Sequence, residues 1–240
     1  MGYNWENTEL ERTMSTLLTW LARNPVFGIF DDPTRAELAQ HAIHKRFGKG
    51  EWIAPYGEPW PYLFLVGSGV VHALKESQEG RSLIVLQLKP GDLFWGMGFF
   101  VESVPMPVLL EAQSPTDVYL WSREFMMPLL HENGRVMWEL SSLMVRRMLR
   151  ASDIVEELAF QPVKGRLARM LLDLYGDTAD EFVSRDLTLD EMAAFIGTKR
   201  EMVCRLLYEF AEEGMIEINR TEFMIADRDQ LMKFANRARG

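Results

Sequence analysis

Apolar residues recur at helical spacing from Thr8 to Arg23, where Leu10, Met14, Leu17, Leu18 and Leu21 share one face, and Asn24-Pro25 then ends the segment. A leading helix is predicted there. From about Ile43 to Trp121 the texture changes to short apolar runs divided by Gly48 to Gly50, Pro55 to Pro61, Gly67 to Gly69, Gly80, Pro90-Gly91 and Ser114-Pro115. Strands at such regular spacing, with no helical stretch between them, predict a small β-barrel or jelly roll. After Ser122 the helical period returns. Between Arg135 and Phe160 the residues Met137, Leu140, Met144, Met148, Ala151, Val155 and Leu158 follow one another at steps of three and four. That is the a/d seam of a helix that pairs with a copy of itself, flanked by Glu139, Arg146, Arg147, Arg150, Glu156 and Glu157. The competing expectation is a helix packed only within its own chain. Pro162 breaks the segment, and Val163 to Tyr175 forms another helix with Leu167, Met170, Leu171 and Leu174 on one face. A loop (Gly176 to Asp186), two short helices and a hairpin follow, in which Met215 to Asn219 and Glu222 to Ile225 flank a turn at Arg220-Thr221.

The two short helices carry the most informative pattern. Thr188 with Glu191 three residues on makes a capping box, after which Leu189, Met192, Ala193 and Ile196 form a buried stripe. Gly197 supplies the turn. Thr198 and Glu201 repeat the capping pattern, and Val203, Leu206, Leu207 and Phe210 then point inward, as in a helix-turn-helix. This stripe leaves Lys199, Arg200, Glu201, Cys204, Arg205 and Tyr208 facing outward near the start of the second helix, where readers of this class meet base edges in the major groove. Arginine bonds bidentately to guanine O6 and N7, and glutamate accepts from the cytosine amino group. Lys199, Arg200, Glu201, Cys204 and Arg205, with Thr188 and Thr198 at the helix starts, form the candidate DNA-contacting set. A solvated face with ordinary ion pairs is the plainer expectation for the arginines, and a backbone cap at Thr198 for Glu201. Cys204 lies between two reader positions, so its oxidation would block docking; a small residue tolerated beside DNA is the simpler reading.

Composition narrows this picture. About half of the 240 residues are apolar, enough for two domains with cores. No run approaches the length of a membrane span, and the polar, acidic start MGYNWENTELERTM lacks the pattern of a signal peptide, so a cytoplasmic location and no membrane partner are expected. The single cysteine rules out a disulfide framework and iron–sulfur ligation. A net charge of −9 argues against non-specific affinity for nucleic acid, although a local basic patch is compatible with it. Only four histidines are present. His41 and His44 stand at an i, i+3 spacing without a third ligand, so no metal site is expected. The clustered His-x-His of a cupin-type metalloenzyme is missing, and no enzymatic activity is expected.

With these residues in hand the whole chain resembles the cyclic-AMP receptor protein / fumarate-nitrate regulator (Crp/Fnr) family. The resemblance rests on Asn24-Pro-Val-Phe27, Tyr56-Gly-Glu58, Leu63-Phe-Leu-Val-Gly-Ser-Gly69, Lys89-Pro-Gly-Asp92, Arg146-Arg147 and Leu158-Ala-Phe160. Above all, Arg200-Glu201-Met-Val-Cys-Arg205 is similar to the Arg-Glu-x-Val-x-Arg of the receptor branch. It implies an α+β chain with a cyclic-nucleotide-binding-like β-roll sensor over 1–133, a dimerisation helix over 134–161 and a winged helix-turn-helix over 162–240. It also implies Arg200, Glu201 and Arg205 as readers of a half-site like TGTGA, a homodimer on double-stranded DNA, and RNA polymerase as a partner. The departures matter as much. A nucleotide pocket in this family carries a Gly-Glu-Leu turn and a following Arg-Ser; here Phe94-Trp-Gly-Met-Gly-Phe-Phe100 and Val104-Pro-Met-Pro-Val108 contain neither the Glu nor the Arg. A cyclic phosphate would be left without its cation, which argues against cyclic AMP as effector. Ala151-Ser152 likewise keeps half of a Thr-Ser pair that touches adenine. Trp95, Met97, Phe99 and Phe100, with Ser152, are the candidate effector pocket for a small apolar molecule; the alternative is that the aromatics fill the roll. Some relatives hold haem, for which His72 is the candidate ligand, against a hydrogen-bonded structural role. A function of another class, a ligand-binding signalling module whose winged domain contacts protein, draws its support from the acidic charge.

Overall fold

The computed structural model describes residues 5–178, 181–185, 187–219 and 222–236, with only the backbone of 5–13. Two compact units emerge: Met1–Leu74 with Leu86–Met148, and Lys75–Val85 with Leu149–Gly240.

In the first unit helix α1 spans Trp5–Arg23, beginning before the expected Thr8. It ends where Asn24, 6 % exposed, accepts from the N–H groups of Val26 and Phe27 at 2.9 and 3.1 Å and donates to the Gly91 carbonyl at 3.0 Å. A second helix that the periodicity did not reveal, α2 (Asp32–His41), starts on the Asp31 carboxylate, which accepts from the Thr34 N–H at 2.9 Å. The roll follows: β1 (Ile43–Phe47), β2 (Trp52–Ala54), β3 (Tyr62–Ser68), β4 (Val71–Glu76), β5 (Ser82–Leu88), β6 (Leu93–Trp95), β7 (Leu109–Ala112) and β8 (Thr116–Ser122). They form two four-stranded sheets, ordered β1-β8-β3-β6 and β2-β7-β4-β5. The expectation of strands without helix fails at one point, because Met97–Phe100 makes a single helical turn, α3. Helices α4 (Arg123–Glu132) and α5 (Gly134–Phe160) close the series.

The core of this unit joins Leu17 and Leu21 of α1, Leu38 of α2, the inward strand residues and Val136 and Leu140 of α5. Trp121 is fully buried, packs its ring 5.0 Å from that of Phe27 and donates its indole N–H to the Leu38 carbonyl at 2.7 Å. His41 and His44, three residues apart, do not share a helix face. His41 is the last residue of α2 and stacks on Phe125, whereas His44 is on β1 and meets Asp117 at 2.7 Å.

In the second unit α6 spans Val163–Tyr175, as the proline and the apolar spacing predict. It packs against α7 (Leu189–Ile196), α8 (Arg200–Glu212) and α9 (Arg228–Ala235). Strands β9 (Val183–Ser184), β10 (Ile216–Ile218) and β11 (Glu222–Ile225) form a three-stranded sheet ordered β10-β11-β9. Leu167, Leu171, Met192, Val203, Leu206, Phe210, Ile216, Phe223 and Leu231 make its core. The expected turn at Arg220-Thr221 lies outside the described residues.

Candidate nucleic-acid interface

Helix α7 begins on the expected capping box. The Thr188 hydroxyl accepts from the Glu191 N–H at 3.2 Å, and the Glu191 carboxylate accepts from the Thr188 N–H at 2.6 Å and from its hydroxyl at 2.8 Å. Thr188 thus caps its own helix with its side chain. At the other end Gly197 adopts φ +63° and ψ +49°, and the Thr198 N–H reaches back to the Ala193 carbonyl at 2.9 Å. Only a residue tolerant of the left-handed region closes a helix this way.

The second capping box does not form. Helix α8 starts after Lys199, whose side chain makes no cap, and Thr198 stands one residue too early to serve. Glu201 therefore keeps its carboxylate free of the backbone, and it has no hydrogen-bond partner among the described residues. Val203, Leu206, Leu207 and Phe210 are buried, so the opposite face carries Lys199, Arg200, Glu201, Arg205 and Tyr208 exposed, with Cys204 half-buried among them. Arg200 donates from Nη1 to Asp190 at 2.8 Å, and Arg205 donates from Nη2 to the Met202 sulfur at 3.0 Å. Behind the helix Lys164 of α6 holds Glu209 at 2.6 Å and Glu213 at 3.0 Å, and its ammonium lies 4.3 Å from the Phe234 ring centre. Burial disfavours the Lys164 charge, but the two carboxylates outweigh it and raise its pKa; the same bond lowers that of Glu209.

One buried charge was not legible as such in the sequence. Arg166 of α6, 9 % exposed, donates from Nε to the Ile196 carbonyl at 2.8 Å and from Nη1 to the Gln161 carbonyl at 2.6 Å. It thereby terminates α7 and the end of α5 with one planar group. Its sequence surroundings, Val163-Lys-Gly-Arg-Leu-Ala-Arg169, carry other basic residues and do not single it out.

Four of the candidate effector residues lie in the first unit. Phe99 is fully buried and Trp95 is 7 % exposed, both in the core of the roll, with Met97 and Phe100 packed against them. Ser152 is exposed on α5, in the second unit. Arg147, which sequence spacing treats as a flanking charge, instead turns toward Trp95 with its guanidinium 4.5 Å from the ring centre, and bonds the Leu93 carbonyl. Burial pulls its pKa down to about 10, against the opposing pull of Asp92. His72 is buried with Nε2 3.0 Å from the Gln87 amide, so this nitrogen is engaged within the protein. No group of three or more metal-ligating side chains occurs among the described residues.

The residues of the expected dimer seam fall into two groups on α5. Leu140 is fully buried in the roll core, and Met137 and Met144 pack against that core, because the first turns of α5 cover their own roll. Met148, Val155 and Leu158 stay exposed at 65, 66 and 38 %, beside Val145, Leu149 and Phe160.

Two family models match the chain: a cyclic nucleotide-binding domain over residues 44–133 and a Crp-like helix-turn-helix domain over residues 165–234. The cAMP-activated global transcriptional regulator CRP of Pasteurella multocida is 30% identical over 190 residues, covering 77% of this chain and 90% of that protein. The CRP-like cAMP-activated global transcriptional regulator of Mycobacterium tuberculosis is 28% identical over 226 residues, covering 90% and 98%. Among solved structures, the c-di-GMP responsive global regulator CLP of Xanthomonas campestris superposes with a TM-score of 0.70 at 23% identity, covering 81% of this chain and 99% of that one, a likeness of fold. No helix among the described residues is long and apolar enough to cross a membrane. With a roll of two four-stranded sheets followed along the chain by a helix-turn-helix whose outward face is charged, the chain belongs to the Crp/Fnr family of DNA-binding transcription regulators.

Proposed function

We propose that the protein is a cytoplasmic, sequence-specific regulator that binds a palindromic DNA site as a homodimer, reads it with Arg200, Glu201 and Arg205, and does not respond to cyclic AMP. The carrying observation is the outward face of α8, where these three side chains stand exposed and Glu201 is released from any capping duty. Lys199, Thr198 and Cys204 border them. Symmetry of a dimer would place two such helices one helical turn apart on the duplex. The exposed stripe of Met148, Val155 and Leu158 supports self-pairing through the second half of α5. RNA polymerase follows as a partner from the regulatory role.

Insensitivity to cyclic AMP is supported by what fills the roll. Trp95 and Phe99 occupy its interior, and a Cβ at Gly96 would lie 1.8 Å from the Trp60 carbonyl oxygen, so no acidic side chain fits there. An effector compatible with this lining is a small apolar molecule that displaces Met97 or Phe100, which are only partly buried. The test is selection of sites from a random double-stranded DNA pool with the full chain, at two salt concentrations and with and without cyclic AMP. Enrichment of a palindrome with TGTGA-like arms, unchanged by the nucleotide, is expected. A consensus that emerges only with cyclic AMP would refute the effector reading, and no enrichment under any condition would favour a winged domain that contacts protein.

A further inference from the structure

Arg200 is not loose on α8. Its Nη1 donates to Asp190 Oδ2 at 2.8 Å, across the turn from the second residue of α7, with side chains 59 and 66 % exposed. A pair this open adds little to folding stability. What it does is restrict the arginine. A guanidinium carries five N–H donors in one plane, and with Nη1 on Asp190 the Nε–Nη2 edge has no partner among the described residues. That edge offers two parallel donors, the pattern that guanine O6 and N7 accept.

We propose that Asp190 is a positioning residue for DNA recognition: it holds the Arg200 fork edge-on to a guanine and keeps it from swinging to a neighbouring phosphate. The proposal rests on the reading of Arg200 as a base reader. Immobilising a long side chain on binding weakens affinity by a factor of roughly 2 to 12, and a pre-set Arg200 has borne that loss before DNA arrives. An arginine released to a phosphate would add sequence-independent affinity, with a salt slope steeper by about 0.9. Asp190 suppresses that mode twice, by occupying Nη1 and by placing a negative charge beside the path of the backbone. The capping box reinforces this, because Thr188 is already bonded to Glu191. In a chain of net charge −9, selectivity then comes from base contacts and not from general attraction to phosphate.

The test uses the full chain with Asp190→Asn, which keeps the shape and removes the charge, after a thermal melt has verified folding. Affinities are measured on the selected site, on sites with the base pair read by Arg200 exchanged, and on random DNA, at about 50 and about 200 mM salt. Discrimination at that one base pair should fall roughly 2- to 12-fold, with other positions unchanged. On random DNA the loss of affinity between the two salts should grow about 3.5-fold, the effect of one more phosphate contact. Asp190→Glu should restore part of the discrimination, and in an Arg200→Ala background Asp190→Asn should have no effect on it. The same factor on every sequence, or an effect that survives Arg200→Ala, would mean that Asp190 acts only as a repelling charge and would overturn the proposal. The two readings fail separately: if Arg200→Ala leaves the base preference intact, Arg200 is not a reader, whereas if it abolishes the preference and Asp190→Asn does not alter it, only the role of Asp190 falls.

Discussion

Replacing Arg166 with methionine keeps the aliphatic stem and removes the group that bonds the Ile196 and Gln161 carbonyls at 2.8 and 2.6 Å. Bonds from a charged donor contribute about 1.5–3 kcal/mol each, so two of them amount to roughly 3–6 kcal/mol. Removing the charge also relieves the cost of burying it, a cost visible in the depressed pKa of Arg166, which burial lowers against the opposing charge of Glu157. The net expectation is a loss of about 2–4 kcal/mol, or at least about 8 °C in the midpoint of a domain of this size. The assay can separate the units, since all seven tryptophans lie at or before Trp138, in the first one. Tryptophan fluorescence should therefore show an unchanged transition while far-ultraviolet circular dichroism shows the second unit melting earlier. DNA affinity should fall as well, because Arg166 closes the C-terminal end of α7 beside the Gly197 turn. A shift below about 1 kcal/mol, or an equal shift in both signals, would refute this account of Arg166.

Three further outcomes follow from the same geometry. Gly197→Ala should destabilise the second unit by about 1–2 kcal/mol and weaken DNA binding, because the new Cβ meets Leu158 Cδ2 at 2.7 Å in a left-handed conformation; circular dichroism and a gel-shift titration check it. Phe99→Ala should cost the roll about 3–5 kcal/mol by urea titration of tryptophan fluorescence, and a smaller loss would mean that the interior is open enough to collapse or to take a ligand. At Asp117 burial raises the carboxyl pKa, but bonds from Ser68, His44 and Arg46 together bring it below the ordinary value of 3.8. Its contribution to the roll is therefore present above the ordinary carboxylate range and lost as pH falls through the depressed value, so Asp117→Asn should flatten the acid limb of the melting curve.

Local patterns set the secondary structure wherever one face of an element meets one environment. The long helix from Arg135 to Phe160, the break at Pro162 and the capping box at Thr188 all appear where spacing and side-chain chemistry place them, since each depends on residues three or four apart. The outward face of α8 was legible for the same reason. Its inward stripe leaves Arg200, Glu201 and Arg205 no other direction. Helix α2 and the turn at Met97–Phe100 were not, because a short helix with few apolar residues leaves no periodic trace and a single turn needs only local bonds.

What the sequence by itself determined is the succession of leading helix, strand-rich roll, long helix and helix-turn-helix, and the charges that the second helix of that motif presents. Contacts between residues far apart in the chain decided the rest: Leu140 packs into the roll core, Arg147 stacks on Trp95, and Arg166 serves two helix ends at once. The surroundings of Glu201 and Arg200 depend on the same kind of context: α8 begins one residue later than its apparent cap, which leaves Glu201 uncapped, and a carboxylate ten residues back pairs with Arg200. Periodicity reports which face of an element is apolar; which partner covers that face, and which lone charge is drawn in with it, depends on packing between elements that no local pattern encodes.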